Sequence, residues 1–286
     1  MSIELEPVKT FKMGAGKLGV GLAAMVLLLS ACAKEQDVNA FIDPTVPADK
    51  TYNEALANID AGDFTQAKRK FKKLDRQHPY SDYAKRSGVM STFIAYKQGD
   101  YAEAIAMGKR FVQLYPANKE APYALYLVGM SHYRQISDVT RDQRAARSTY
   151  QTMNEVIERY PDSQYVEDAK RKKRIAKDQL AGQEMLVGRY YQERQEYLAA
   201  INRYRGVVET YEDTRHVEEA LARLTESYFA LGLTSDAQSA AAVLGHNFPD
   251  SQWYRDSYAL LEKGGLRPLE NQGSWLSRAS KAISGA

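Results

Sequence analysis

Cysteine is almost missing from this chain: Cys32 is the single example in 286 residues. No intramolecular disulfide can form, and a cysteine-based metal site is excluded. Histidine is nearly as scarce, and His78, His132, His216 and His246 are too scattered to suggest a metal site. A strong charge of one sign is also absent. Thirty-nine Lys and Arg stand against 36 Asp and Glu, a formal net charge of +3. A chain built to hold nucleic acid shows a larger basic excess, so no nucleic acid partner is expected. Catalytic signatures are lacking too. There is no glycine-rich phosphate loop, no Gly-x-Ser-x-Gly and no His-Glu-x-x-His. Gly14-Ala15-Gly16-Lys17 follows no strand, and Ser131-His132 sits in no strand-turn-helix frame. The expectation is a protein that is not an enzyme and uses no cofactor.

Long apolar runs are limited to one, Leu18–Leu29, preceded by Lys9, Lys12 and Lys17. It falls short of the roughly 20 residues a membrane helix needs and has the build of a secretory leader. Glu4 and Glu6 are atypical of such a leader, which points to Met13 as the initiator. The run ends Leu29-Ser30-Ala31-Cys32, which resembles a bacterial lipobox. Residues 1–31 are then a lipoprotein signal peptide, and Cys32 carries a covalent lipid. Several acyl chains hold a bilayer stably, at about 0.8 kcal/mol per buried CH₂. Ala33 follows in place of Asp, which by the same resemblance implies sorting to the outer membrane. Residues 32–50, polar and holding Pro44 and Pro47, read as a flexible tether.

What the chain does have is a repeated phrase. Hydrophobic residues make up 44% and charged residues 26%, enough apolar content for a folded core. Ala61-Gly62-Asp63-Phe64 leads to Ala67, Phe71 and Pro79, and Gln98-Gly99-Asp100-Tyr101 leads to Ala104, Phe111 and Pro116. Gly232 leads to Ala237, Leu244 and Pro249. Weaker copies run from Ala146 to Pro161 and from Tyr197 through Ala200 to Glu212. Glycine permits the tight turn between two helices, a small alanine lets them approach, and proline closes the second helix. The phrase resembles the tetratricopeptide repeat, a helix–turn–helix unit of about 34 residues.

The fold expected is all-α: a superhelix of about five such repeats. Repeats 1–3 occupy residues 51–162. Residues 163–260 hold a long helix, Gln164–Arg194, that joins them to repeats 4 and 5. Ile136–Arg144 reads as an inserted loop, and 261–286 as a tail with at most a short amphipathic piece. Ser81, Asp162-Ser163, Asp213-Thr214 and Asp250-Ser251 are expected to cap the helices that follow them.

Three features have a functional reading. Phe93, Tyr96, Tyr123, Tyr126, Met130 and Tyr133 fall on the first helices of repeats 2 and 3, with Tyr126, Met130 and Tyr133 on one helical face. About half belong in the repeat core, and the rest are candidates to line a peptide groove. Two basic runs, Lys68–Lys73 and Lys170–Arg174, read first as solvated helix surface. Their alternative role is docking to an acidic partner or to anionic headgroups.

Lipobox, tether, five repeats and a mid-array long helix together resemble the BamD family of β-barrel assembly lipoproteins in Gram-negative bacteria. The closest phrase is Tyr190-Tyr191-Gln192-Glu193-Arg194, then Tyr197-Leu198-Ala199-Ala200-Ile201-Asn202-Arg203-Tyr204. His78-Pro79-Tyr80-Ser81 and Tyr160–Tyr165 add to it. The resemblance implies a scaffold on the periplasmic face of the outer membrane, lipid-anchored and working beside other Bam lipoproteins. It implies that the C-terminal repeats bind the POTRA domain of a BamA-like barrel protein, with Asn202-Arg203 at the contact. Arginine suits that role, because its planar fork holds a carboxylate through two hydrogen bonds. It also implies that the N-terminal repeats receive the signals of unfolded outer-membrane proteins. Repeats alone leave one alternative open, a periplasmic lipoprotein adaptor for cell division or peptidoglycan remodelling. Departures from the family pattern are Gln195, where glycine is usual, and Glu212, where proline is usual.

Overall fold

Helix after helix stops where the repeated phrase says it should. In the computed structural model, which describes residues 46–271 and 273–283, the five second helices of the repeats are α2 (Phe64–Gln77), α4 (Tyr101–Leu114), α6 (Arg144–Arg159), α8 (Tyr197–Thr210) and α10 (Thr234–Asn247). Each ends two residues before its closing position, at Pro79, Pro116, Pro161, Glu212 and Pro249. The residue before proline is pushed out of the helical region, which terminates four of them. The repeat alanines Ala67, Ala104, Ala146, Ala200 and Ala237 are all buried, so each helix pair meets at a residue too small to hold it apart.

The first helices of the repeats are α1 (Ala48–Asp60), α3 (Asp82–Gln98), α5 (Ala121–Tyr133), α7 (Val166–Glu193) and α9 (Val217–Ala230). α11 (Gln252–Lys263) follows α10, and α12 (Trp275–Ile283) ends the described chain. Among the described residues every regular element is a helix. From α1 to α11 each helix packs on the next, and α1, α3, α5 and α7 also pack side by side, as tetratricopeptide repeats do. Residues from Pro47 onward form one compact unit.

Turn glycines act where the backbone turns left-handed. Gly62, Gly99 and Gly232 have φ of 76°, 84° and 72°. In repeat 4 the same position is Gln195, at φ 62°, the single non-glycine with positive φ among the described residues. The turn is thus kept without the residue that makes it easy. Glu212, in the proline position, accepts from the buried Lys177 on α7 at 3.4 Å, and Asp213 lies 2.5 Å from the same ammonium. Burial pulls the Lys177 pKa down. The hydrogen bonds and charges of Asp213 and Glu212 outweigh it and hold the pKa above the ordinary lysine value.

Several expectations need correction. The tether's last residues, Ala48–Lys50, form the first turn of α1. Ser81 and Ser251 do cap, accepting from Ala84 N at 3.0 Å and Trp253 N at 3.2 Å. Ser163 and Thr214 do not, because α7 and α9 start later, behind Tyr165 and His216. The Thr214 hydroxyl instead donates back to Tyr211 O at 2.8 Å. The loop expected at Ile136–Arg144 is present up to Gln143, with only Arg144 already helical, and it is tied to α7 where Gln179 donates to Ser137 O at 2.8 Å. The tail does more than trail away. Leu261–Lys263 finish α11, and α12 packs on α10 with Leu276 wholly buried.

The interior falls into three clusters. One lies under α1–α3 around Phe71 and Ile94, the next runs from Val89 to Ala169, and the third from Ala181 to Ala279. The last two meet on α7, which gives Ala169 to one and Ala181 to the other. Between them lies the run Lys170–Arg174 with the buried, ion-paired Lys177. The long helix therefore bridges two apolar cores across a polar middle. Cys32 and the leader fall outside the described residues.

Candidate functional site

Stacking α3, α5 and α7 side by side gathers aromatic rings from distant parts of the sequence. The Phe93 and Tyr123 centroids are 6.5 Å apart. Tyr165, just before α7, stacks on both Tyr123, at 5.1 Å, and Tyr126, at 5.0 Å. The Tyr126 hydroxyl donates to Asp168 Oδ2 at 2.6 Å, across 42 residues. Tyr96 on α3 accepts from Arg134 Nε at 3.1 Å. Tyr133 lies under the Lys172 ammonium, 4.7 Å from its ring centroid, a cation–π distance.

All six residues singled out from the sequence are half-buried. Tyr123, Tyr126 and Met130 lean on the middle core cluster while keeping surface to offer. Sequence reading missed Tyr165 and Asp168, and saw Lys172 as one cation in a run. The phrase Tyr160–Tyr165 carried the only signal for Tyr165. Nothing local could reveal that α7 would lay its first turns beside α5.

Electrostatics tie this face together. Burial, helped by Tyr165, Tyr96 and Glu120, pushes the Tyr123 pKa up to about 12. Burial and the Asp168 contact raise Tyr126 further. Burial lifts Asp168, but hydrogen bonds from Tyr126 and Arg171 and the charge of Lys172 more than reverse this, leaving it below its ordinary value. At neutral pH the pair is therefore a phenol donating to a carboxylate. The face presents rings, hydroxyls and a cation, which suits an extended peptide with aromatic side chains. It holds no nucleophile next to a base, and no group of metal-ligating side chains occurs among the described residues.

The second basic run is largely engaged at home. Lys170 pairs with Glu167 at 2.8 Å, Arg171 with Asp168 at 2.8 Å, and Lys173 donates to Asn154 Oδ1 at 2.6 Å. The cations point to several sides of α7, as consecutive helix positions must.

On α8 the phrase Asn202-Arg203-Tyr204 splits between outside and inside. Tyr204 is fully buried, and its hydroxyl donates to Gln192 Oε1 at 2.7 Å. Its ring covers Gly188, where an added Cβ would lie 2.4 Å from Cε1. That close approach clamps α8 on α7 and turns Asn202 and Arg203 outward, where both are exposed. Arg203 Nη1 donates to Glu184 Oε2 at 3.2 Å. The guanidinium's remaining donors leave room for a second carboxylate.

No described helix is long and apolar enough to cross a membrane. Residues 44–244 match the family model YfiO, described as outer membrane lipoprotein. The outer membrane protein assembly factor BamD of Caulobacter vibrioides is 40% identical over 255 residues, covering 88% of this chain and 84% of that protein. The BamD of Rickettsia prowazekii is 35% identical, covering 86% of this chain and 97% of its own. That of Neisseria meningitidis serogroup A is 34% identical, covering 79% and 89%.

Proposed function

Because this chain belongs to the BamD family of outer membrane protein assembly factors, we propose that it works there as a scaffold with two binding faces. It is a non-enzymatic assembly factor associated with the outer membrane. The finer reading assigns residues 1–31 as a leader and Cys32 as the acylated anchor on the periplasmic face. Repeats 1–3 receive the aromatic-ended signals of unfolded outer-membrane proteins. The C-terminal repeats hold the POTRA domain of a BamA-like barrel protein through Asn202-Arg203, alongside other Bam lipoproteins. The family match favours this over an adaptor for division or peptidoglycan remodelling.

The observation that carries the reading is the aromatic face itself. Phe93, Tyr123, Tyr165 and Tyr126 sit in ring contact across α3, α5 and the residue that leads into α7, and Tyr133 adds a ring topped by a cation. Stacked rings offer large contact area at low entropic cost, as peptide recognition requires.

For the second face, Glu184 makes a sharp test possible. Arg203→Glu places two carboxylates together and removes the donor for a partner's acid. Co-purification of the barrel protein from solubilised membranes should fall at least roughly tenfold. Glu184→Gln frees the guanidinium and should leave recovery equal or higher. Unchanged recovery with Arg203→Glu, or equal losses in both variants, removes Arg203 from the interface.

A further inference from the structure

We propose that the cleft between α2 and α4, floored by Phe71 and Phe111 and rimmed by Lys72 and Arg110, docks an acidic protein segment that carries an apolar side chain. It is built from the second helices of repeats 1 and 2 with Ala84, Gly88 and Ser91 of α3 between them, and none of the six residues of the aromatic face lines it, so it is a separate surface.

The case starts from the sequence of α2. Its stretch from Phe64 to Gln77 carries six cations and one carboxylate, Asp75. A solvated helix needs no such excess. Some of the charge is used internally, with Lys70 on Glu54 at 2.6 Å and Lys68 on Glu103 at 3.2 Å. Lys72 and Arg110, both exposed, have no ion-pair partner among the described residues. Arg69, Arg76 and Lys109 on the same two helices add to the positive field.

Between these rims the surface is hollow, with an apolar floor; Asp75 and Glu103 also line it, against four cations, Lys68, Lys72, Lys85 and Arg110, and Glu103 is held by Lys68. The cleft measures about 500 Å³ and takes in Gly88, Met107 and Leu114 as well as the two phenyl rings. Leu114 is 56% exposed and Tyr115 39%. Large apolar side chains left in water beside a hollow mark a contact surface. The shape selects the occupant. A flat layer of headgroups meets the basic rims but cannot reach the recessed rings. A peptide side chain can enter, while carboxylates before and after it meet Lys72 and Arg110. Lysine and arginine are suited to this because their aliphatic stems line the hollow and their charges stand above it.

The experiment uses the full chain in detergent and a short fluorescein-labelled peptide of alternating Asp and Phe, read by anisotropy. The double variant K72E/R110E should weaken binding at least roughly tenfold, since two favourable contacts become repulsive. Its thermal melt should match the parent, as both positions are exposed. Peptides with Lys for Asp, or Gly for Phe, should fail to bind. The aromatic-face variant Tyr96→Ala should bind as the parent does. Three results would overturn the proposal: equal binding by K72E/R110E, equal binding of the Lys–Phe peptide, or loss through Tyr96→Ala instead. So would K72E/R110E losing affinity for phosphatidylglycerol vesicles while keeping the peptide, because the rims would then serve a membrane surface.

Discussion

Gln195 shows how a repeat can keep its geometry after losing its characteristic residue. The α7–α8 turn needs a left-handed residue, and three sister turns supply glycine. A side chain there clashes with its own backbone, at about 1–2 kcal/mol. Gln195→Gly should therefore raise stability by about 1 kcal/mol after glycine's own entropic cost. Urea unfolding checks this, and a variant no more stable than the parent would show that the glutamine side chain makes compensating contacts. At the neighbouring departure, Glu212, the residue change has a visible use. Proline would end α8 but could not receive Lys177. Neither residue explains itself in the sequence, since one needs the backbone angle and the other needs a lysine 35 positions away.

Elements behave as their local signals demand, while their partners are chosen elsewhere. Helix ends obey proline and glycine, so α2, α4, α6 and α10 were legible to within a residue or two. The last element was harder to read. Residues 261–286 promised at most a short amphipathic piece, and nothing in them told its destination. In the fold the tail runs back along α10: Gln238 donates to Arg267 O at 2.7 Å, and Leu269 N to Gln238 O at 3.3 Å. Asn247 then donates to Ser280 Oγ at 3.1 Å. Trp275 reaches α8, lying under the Arg205 guanidinium at 4.7 Å from the ring. The tail is thus a strap over the second helices of repeats 4 and 5. Deleting residues 265–286 uncovers the site filled by Leu276 and should cost roughly 2–4 kcal/mol. Hydrogen exchange should show the loss concentrated in α8 and α10. Unaltered exchange there would mean the strap stabilises nothing.

At the scale of the whole molecule, two apolar cores share one helix, and tyrosines pack into both, half-buried in one and buried in the other. Burial raises Tyr123 and Tyr126 on one side, and Tyr204 and Tyr228 on the other. Lys177, between the cores, is raised as well. Each of these groups holds its proton in the folded state where the unfolded chain, with phenols near 10, has begun to lose it. Stability should be intact below pH of about 10 and fall as pH rises toward 12, the value at Tyr123. Helicity and phenolate absorbance followed together test the sign. The buried phenols should titrate only as the helices melt, and flat stability across that range would contradict their burial.

What the sequence determined alone was local: the helices, their stops, the buried alanines, the phrase that aligns Arg203 and the bridging length of α7. Turn geometry and proline sterics act over a few residues, so a reader of the chain can apply them directly. Tertiary structure alone decided which rings meet. Tyr165 and Asp168 join Tyr123 and Tyr126 because the turn after α5 and the antiparallel α6 bring the chain back beside α5. It also decided that Arg203 rests on Glu184 and that the first basic run rims an apolar hollow. Those outcomes depend on the register of helices packed across tens of residues, where small shifts in position exchange one neighbour for another.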